Sequence, residues 1–206
     1  MNTSPPLSLA GLRVLLADAG QRRSPVIRLE LIRLRCQLVD VIDLIADPAA
    51  LPAALERLAP ELLLVDCDQP TPELLAQLGE AQQRQPHAVL MFAEQMTPEQ
   101  MRAALAAGVS ALQLAGLPPQ RLGALLQLAL ARFEHDQSLQ RDLRQTQTQL
   151  AERKLVERAR GILMREQGLD EEAAYQRLRQ LAMDGGQTMA AVAARLIDAD
   201  HLLRPR

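Results

Sequence analysis

Leu62-Leu63-Leu64-Val65 runs directly into Asp66-Cys67-Asp68-Gln69-Pro70, so four consecutive apolar residues end on two carboxylates and a proline. A run this short, apolar at both odd and even positions, reads as a strand buried on two sides, as in a parallel sheet covered by helices. The flanking sequence repeats the theme. Leu12-Arg13-Val14-Leu15-Leu16-Ala17, Leu38 to Ile42, Ala88 to Phe92 and the weaker Val109 to Leu114 read as four more strands. Helical patterns separate them, over Val26 to Leu34, Pro48 to Leu58 with Asp47 as N-cap, Pro72 to Gln83, and Pro98 to Ala107 ended by Gly108. Pro118 opens a long final helix. Five strands alternating with helices predict a doubly wound α/β domain of flavodoxin-like topology over residues 11–130.

Sheets of this kind place ligands beyond the carboxyl ends of their strands, where the sequence puts Asp18, Asp66 and Asp68. Val65-Asp66-Cys67-Asp68-Gln69-Pro70 resembles the receiver domain of two-component response regulators, with an acceptor aspartate at the end of the third strand and a proline four residues later. The resemblance implies that Asp66 is the phosphorylated carboxylate and that acidic residues after the first strand help bind Mg²⁺. The sequence departs from that pattern at three places. The acidic pair is reduced to Asp18-Ala19, Ala93 stands where the family has Ser or Thr, and the lysine after the fifth strand is replaced near Ala115. Phosphoryl transfer needs its charge neutralised and its product read by hydrogen bond and ion pair, so the expectation is a pseudo-receiver serving as a protein-contact surface. Asp18 and Asp66 form a degenerate acidic site, or are simply polar groups left at strand ends.

From Gly123 the pattern is helical with no Gly or Pro until Gly161. Leu139, Leu143 and Leu150, with Thr146 between them, keep a heptad-like spacing that predicts a connecting helix or short coiled coil over residues 131–152. Three helices follow over residues 153–200. The first is closed by Gly168, the second is capped by Asp170 and ended by Asp184-Gly185-Gly186, and the third starts at Thr188 and runs to about Ala199. The expected bundle core is Leu155, Ala159, Ile162, Leu163, Ala173, Leu178, Leu181, Ala182, Val192, Ala193, Leu196 and Ile197, with Met164 and Met183 as filler. At about 100° per residue, Lys154, Arg158, Gly161 and Arg165 share a stripe away from that core. The stripe is either a phosphate-binding surface or an ordinary solvated face with ion pairs to Glu157 and its neighbours.

The string Lys154-Leu155-Val156-Glu157-Arg158-Ala159-Arg160-Gly161-Ile162-Leu163-Met164, followed by Gly168-Leu169, Glu171-Glu172-Ala173-Ala174-Tyr175 and Leu181-Ala182-Met183-Asp184, closely resembles the ANTAR domain of bacterial antiterminators. That resemblance implies binding to paired hairpins in a nascent leader mRNA, which keeps the terminator hairpin from forming. It assigns RNA roles to Ala159, Arg160, Gly161 and Tyr175, and charge adds Lys154, Arg158, Arg165 and Arg179 as phosphate contacts. Ala159 could equally be a tight helix contact, and Tyr175 a half-buried ring rather than a stacking platform. A degenerate receiver, a connecting helix and this bundle in series are similar to regulators of nitrate and nitrite assimilation (NasT-like), and more distantly to the amidase-operon antiterminator. Similarity to the nitrate group implies control by a separate ligand-sensing protein, while the small bundle and the heptad-like helix before it point to a homodimer at least in the active state.

Composition bounds the alternatives. Among 206 residues the aromatics are one Tyr, two Phe and no Trp, and the net charge is -2. Nucleic-acid binding must therefore come from a local patch. Cys36 and Cys67 lack CxxC spacing, and His87, His135 and His201 stand apart. No metal site, cofactor or nucleophile-base pair is expected, so the protein reads as a non-enzyme. Residues 1–10 read as a flexible lead-in and 201–206 as a tail. With neither a signal peptide pattern nor a long uncharged apolar run, a cytoplasmic location away from the membrane is expected. The competing reading is a phosphorylation-dependent response regulator acting on DNA or protein.

Overall fold

The computed structural model describes residues 8–20, 22–116 and 119–203. The expected lead-in, the helix start at Pro118 and the last three residues of the tail lie wholly or mostly outside them.

The elements are β1 (Arg13–Asp18), α1 (Ser24–Arg33), β2 (Gln37–Asp43), α2 (Ala50–Leu58), β3 (Leu62–Cys67), α3 (Pro72–Arg84), β4 (Ala88–Ala93), α4 (Pro98–Ala106) and β5 (Ala111–Leu114). A 3₁₀ turn (Pro119–Arg121), α5 (Leu122–Gln167), α6 (Glu171–Asp184) and α7 (Met189–Leu203) follow. The five strands form one parallel sheet in the order β2-β1-β3-β4-β5, the receiver-like arrangement. Period-2 alternation sends the two apolar sets of each strand to opposite faces. Leu15, Ala17, Leu63, Val65, Val89 and Met91 pack against α2, α3 and α4 through Leu51, Leu55, Leu74, Leu78 and Ala104. Val14, Leu16, Leu62, Leu64, Leu90 and Phe92 pack against α1 and α5 through Ile27, Leu31, Leu122, Leu126 and Ala129.

Local chemistry sets most helix starts. Thr71 and Thr97 accept from the amides of Leu74 and Gln100, each with proline as the first helical residue, and Thr97 with Gln100 completes a capping box. Asp47 does not cap α2. Its carboxylate accepts from Ala49 N at 3.1 Å, forming a local turn, and the N-cap is Ala49. The fifth strand is shorter than Val109 to Leu114, because Val109 N donates to Ala104 O and so still closes α4.

The chain divides into two compact units at residues 137/138, inside α5. In the second unit α5, α6 and α7 share a core of Ala159, Ile162, Leu163, Ala174, Leu178, Ala182, Val192, Ala193 and Ile197. Asp170 and Thr188 accept from Ala173 N and Ala191 N at the starts of α6 and α7. Gly168 and Gly186 end helices at positive φ (64° and 58°), where a side chain would be strained. Of the neighbouring alanines near the start of α6, Ala174 and not Ala173 is buried, and Met164 and Met183 are exposed rather than core filler. Leu139, Leu143 and Leu150 are exposed along α5, and Thr146 turns its hydroxyl onto Asp142 O of its own helix.

Candidate nucleic-acid interface

Helix geometry divides the cationic residues of α5 between two surfaces. Arg158 and Arg160 are two positions apart and therefore about 200° around the axis. Arg158 Nη2 lies 2.6 Å from His201 Nε2, and Arg165 bonds Asp200 at 3.0 Å and Glu166 at 2.9 Å. The expected stripe of Lys154, Arg158, Gly161 and Arg165 thus runs beside the end of α7, with two of its arginines already paired. Gly161 is exposed, and a Cβ there would meet nothing within 4 Å, so packing does not require the glycine.

Arg160 faces a different surface. Together with Arg153, Glu157, Tyr175, Thr188 and Met189 it lines a groove where α5, α6 and α7 meet. A second hollow, formed by Arg160, Glu171, Glu172 and Tyr175, adjoins it. The Arg160 guanidinium lies 2.8 Å from Glu171 and 4.0 Å from Glu157, with its side chain 24% exposed. Tyr175 is 37% exposed and so offers part of its ring to the groove. A cation and an aromatic edge in one concave surface can hold a phosphate and an unstacked base together. Ala159 takes no part, since it is fully buried between helices and sets their spacing instead of touching a ligand. Arg179 is exposed on α6 and lines neither hollow. Sequence reasoning overlooked Arg153 and Met189 as groove residues and saw Thr188 only as a cap. The spacing 153, 156/157, 160 on one helix face was the available signal.

At the carboxyl end of the sheet, Asp18 and Asp66 are register partners on β1 and β3. Asp18 Oδ1 accepts from Gly20 N at 3.1 Å. Asp66 is fully buried, and Arg23 lies over it. Arg23 Nε donates to Asp66 Oδ1 at 2.6 Å, Nη1 to Glu94 at 2.8 Å and Nη2 to Cys67 O at 2.7 Å. Burial pushes the Asp66 carboxyl above its ordinary range, and the Arg23 hydrogen bond and charge only partly oppose this. Burial also disfavours the Arg23 cation, but its bonds to Asp66 and Glu94 prevail and hold it above its ordinary value. The Mg²⁺ implied by the receiver family does not fit these residues. A guanidinium already neutralises the carboxylate, and among the described residues no group of three His, Cys, Asp or Glu is placed to hold a metal.

Residues 144–197, which contain every residue of both α5–α7 hollows, match the family model of the ANTAR domain. The chain carries an ANTAR domain. It is 40% identical over 80 residues to the Nitrate regulatory protein of Klebsiella oxytoca, a match covering 39% of this chain and 20% of that one. It is 26% identical over 134 residues to the Transcriptional regulatory protein PdtaR of Mycobacterium tuberculosis, covering 65% of each. The chain thus spans a fifth of the first relative and just under two thirds of the second, and both are named as regulatory proteins. The receiver domain protein (CheY-like) of Methanospirillum hungatei superposes with a TM-score of 0.52 at 20% identity, over 62% of this chain and 99% of that one. That likeness concerns the fold, and it places a receiver-like domain ahead of the ANTAR domain. Among the described residues no helix is long and apolar enough to cross a membrane.

Proposed function

We propose that this protein is a cytoplasmic transcription antiterminator whose ANTAR domain binds paired hairpins of a nascent leader mRNA and prevents the terminator from forming. The observation that carries the reading is the groove in which Arg160 and Tyr175 meet inside the ANTAR match. Similarity to the Nitrate regulatory protein supports nitrate or nitrite assimilation genes as targets, with a separate ligand-sensing protein as the controlling partner. The pseudo-receiver supplies the surface for that partner. Exposed Leu139, Leu143 and Leu150 on α5 support a homodimer through residues 131–152. Two hairpin contacts joined in one dimer gain affinity through effective concentration.

The test is binding of the purified protein to a leader RNA with two hairpins, compared with one hairpin and with a scrambled sequence, alongside a Tyr175→Ala variant. Preference for two hairpins, weakened by the variant, is the expected result. Equal affinity for the scrambled RNA would overturn the proposal.

A further inference from the structure

Arg23 reaches across the end of the sheet from the loop after β1 to the ends of β3 and β4. It is attached to residues 43, 44 and 71 positions away in sequence, so it closes three segments over one carboxylate. Neither oxygen of that carboxylate is open. Asp66 Oδ1 is held at 2.6 Å by Arg23 Nε, and Oδ2 is sealed from solvent and has no hydrogen-bond partner among the described residues. A phosphoryl group can be accepted only by an oxygen with a free line of approach to phosphorus, and a divalent ion only by one not already neutralised. Asp68 and Glu94 are about half exposed, and each also lies against the same guanidinium, at 4.0 and 2.8 Å.

We propose that Arg23 is a tethered cation that permanently occupies and seals the acidic site of the receiver-like domain, so that Asp66 takes neither metal nor phosphoryl group and the domain is held in one state. Control of the protein then enters through another surface. The inference concerns the first unit alone and stands whether or not the ANTAR domain binds RNA.

The experiment is carboxyl footprinting of the full chain with a water-soluble carbodiimide and glycine ethyl ester, read by peptide mass spectrometry. Half-exposed Asp68 and Glu94 serve as internal positive controls. In the wild type Asp66 stays unlabelled while Asp68 and Glu94 react. In Arg23→Ala, with circular dichroism confirming a folded chain, Asp66 labelling rises by about tenfold or more as the local seal opens. Arg23→Lys, which keeps a cation but loses the three-way fork, gives an intermediate rate. In parallel, wild type incubated with acetyl phosphate and Mg²⁺ acquires no acid-labile phosphate, and paramagnetic titration with Mn²⁺ shows no uptake that Asp66→Asn removes. Wild-type Asp66 reacting as fast as Asp68, acid-labile phosphate on Asp66, Asp66-dependent Mn²⁺ uptake, or an unchanged rate in folded Arg23→Ala each overturns the proposal. Should Arg23→Ala fail to fold, the wild-type and Arg23→Lys arms still decide it.

Discussion

Replacing Arg160 by alanine separates the two cationic faces of α5. In the free domain Arg160 is held by Glu171, whose side chain is 69% exposed, and a solvated pair of that kind is worth at most about 1 kcal/mol. A charged hydrogen bond to an RNA phosphate contributes about 1.5–3 kcal/mol. The phosphate must first draw the guanidinium away from Glu171, which leaves about 0.5–2 kcal/mol, or a loss of roughly two- to thirtyfold in affinity for the variant. One phosphate contact fewer also flattens the slope of log K against log salt by about 0.7–0.9. Arg158→Ala removes a guanidinium from the opposite side of the helix, where it meets His201, and leaves affinity and slope almost unchanged. Glu171→Gln acts in the other direction, freeing Arg160 and tightening binding by about two- to fivefold. The assay is fluorescence anisotropy of a labelled two-hairpin leader across a salt series, with helix content checked by circular dichroism. If Arg160→Ala keeps the wild-type affinity and slope while Arg158→Ala loses both, the groove is the wrong surface.

Three further outcomes follow from burial. Leu178 is fully buried in the helical unit, so Leu178→Ala costs about 2–5 kcal/mol. A core of this size supplies only about 3–5 kcal/mol, so thermal scans should show the helical unit melting early while the sheet domain melts as in wild type; a single unshifted transition contradicts this. His87 is buried, with Nδ1 2.8 Å from Gln85 O. Burial pushes it below its ordinary value more than that carbonyl raises it. The unfolded chain therefore takes the proton more readily, so stability is complete above a pH of about 6.5 and declines as pH falls through the lower folded value. His87→Gln should weaken this decline in urea titrations at several pH values, and an identical profile counts against the assignment. The Cys67 thiol is pushed up to about 12 by burial and the nearby Asp66 charge, whereas Cys36 is half-buried. A disulfide exchange reagent at mildly alkaline pH should titrate at most Cys36 in the native protein and both thiols in denaturant. Two fast native thiols contradict this.

The sheet was legible in the sequence because parallel strands are apolar on both faces, so Leu62 to Val65 and Ala88 to Phe92 stand out against any neighbour. Helix starts were legible where one side chain does the capping, as at Asp170 and Thr188. They were misread at Asp47, whose carboxylate prefers a local turn. Ala173 and Ala174 differ by about 100° around α6, and no single-helix pattern settles which alanine faces two partner helices. The seal over Asp66 was out of reach for another reason. Arg23 and Glu94 are 71 positions apart, and only the parallel stacking of β1, β3 and β4 brings them to one carboxylate. The groove was half legible. Arg160 and Tyr175 could be named from resemblance to a family, but Arg153, Thr188 and Met189 join them only once three helices have packed.

Ala159, Ala174, Ala182 and Ala193 are all buried, one each from α5 and α7 and two from α6. Methyl groups have no rotamers to freeze, so the helices meet at little side-chain entropy cost, but each contact removes only a small apolar area from water. The folded state of such a bundle is correspondingly sensitive to anything that binds it and not the unfolded chain. A ligand present at a hundred times its dissociation constant adds about 2.7 kcal/mol, comparable to the whole margin of a core this small. If the bundle binds RNA as proposed, occupancy and lifetime are coupled: copies engaged on a transcript resist proteolysis and idle copies are cleared first.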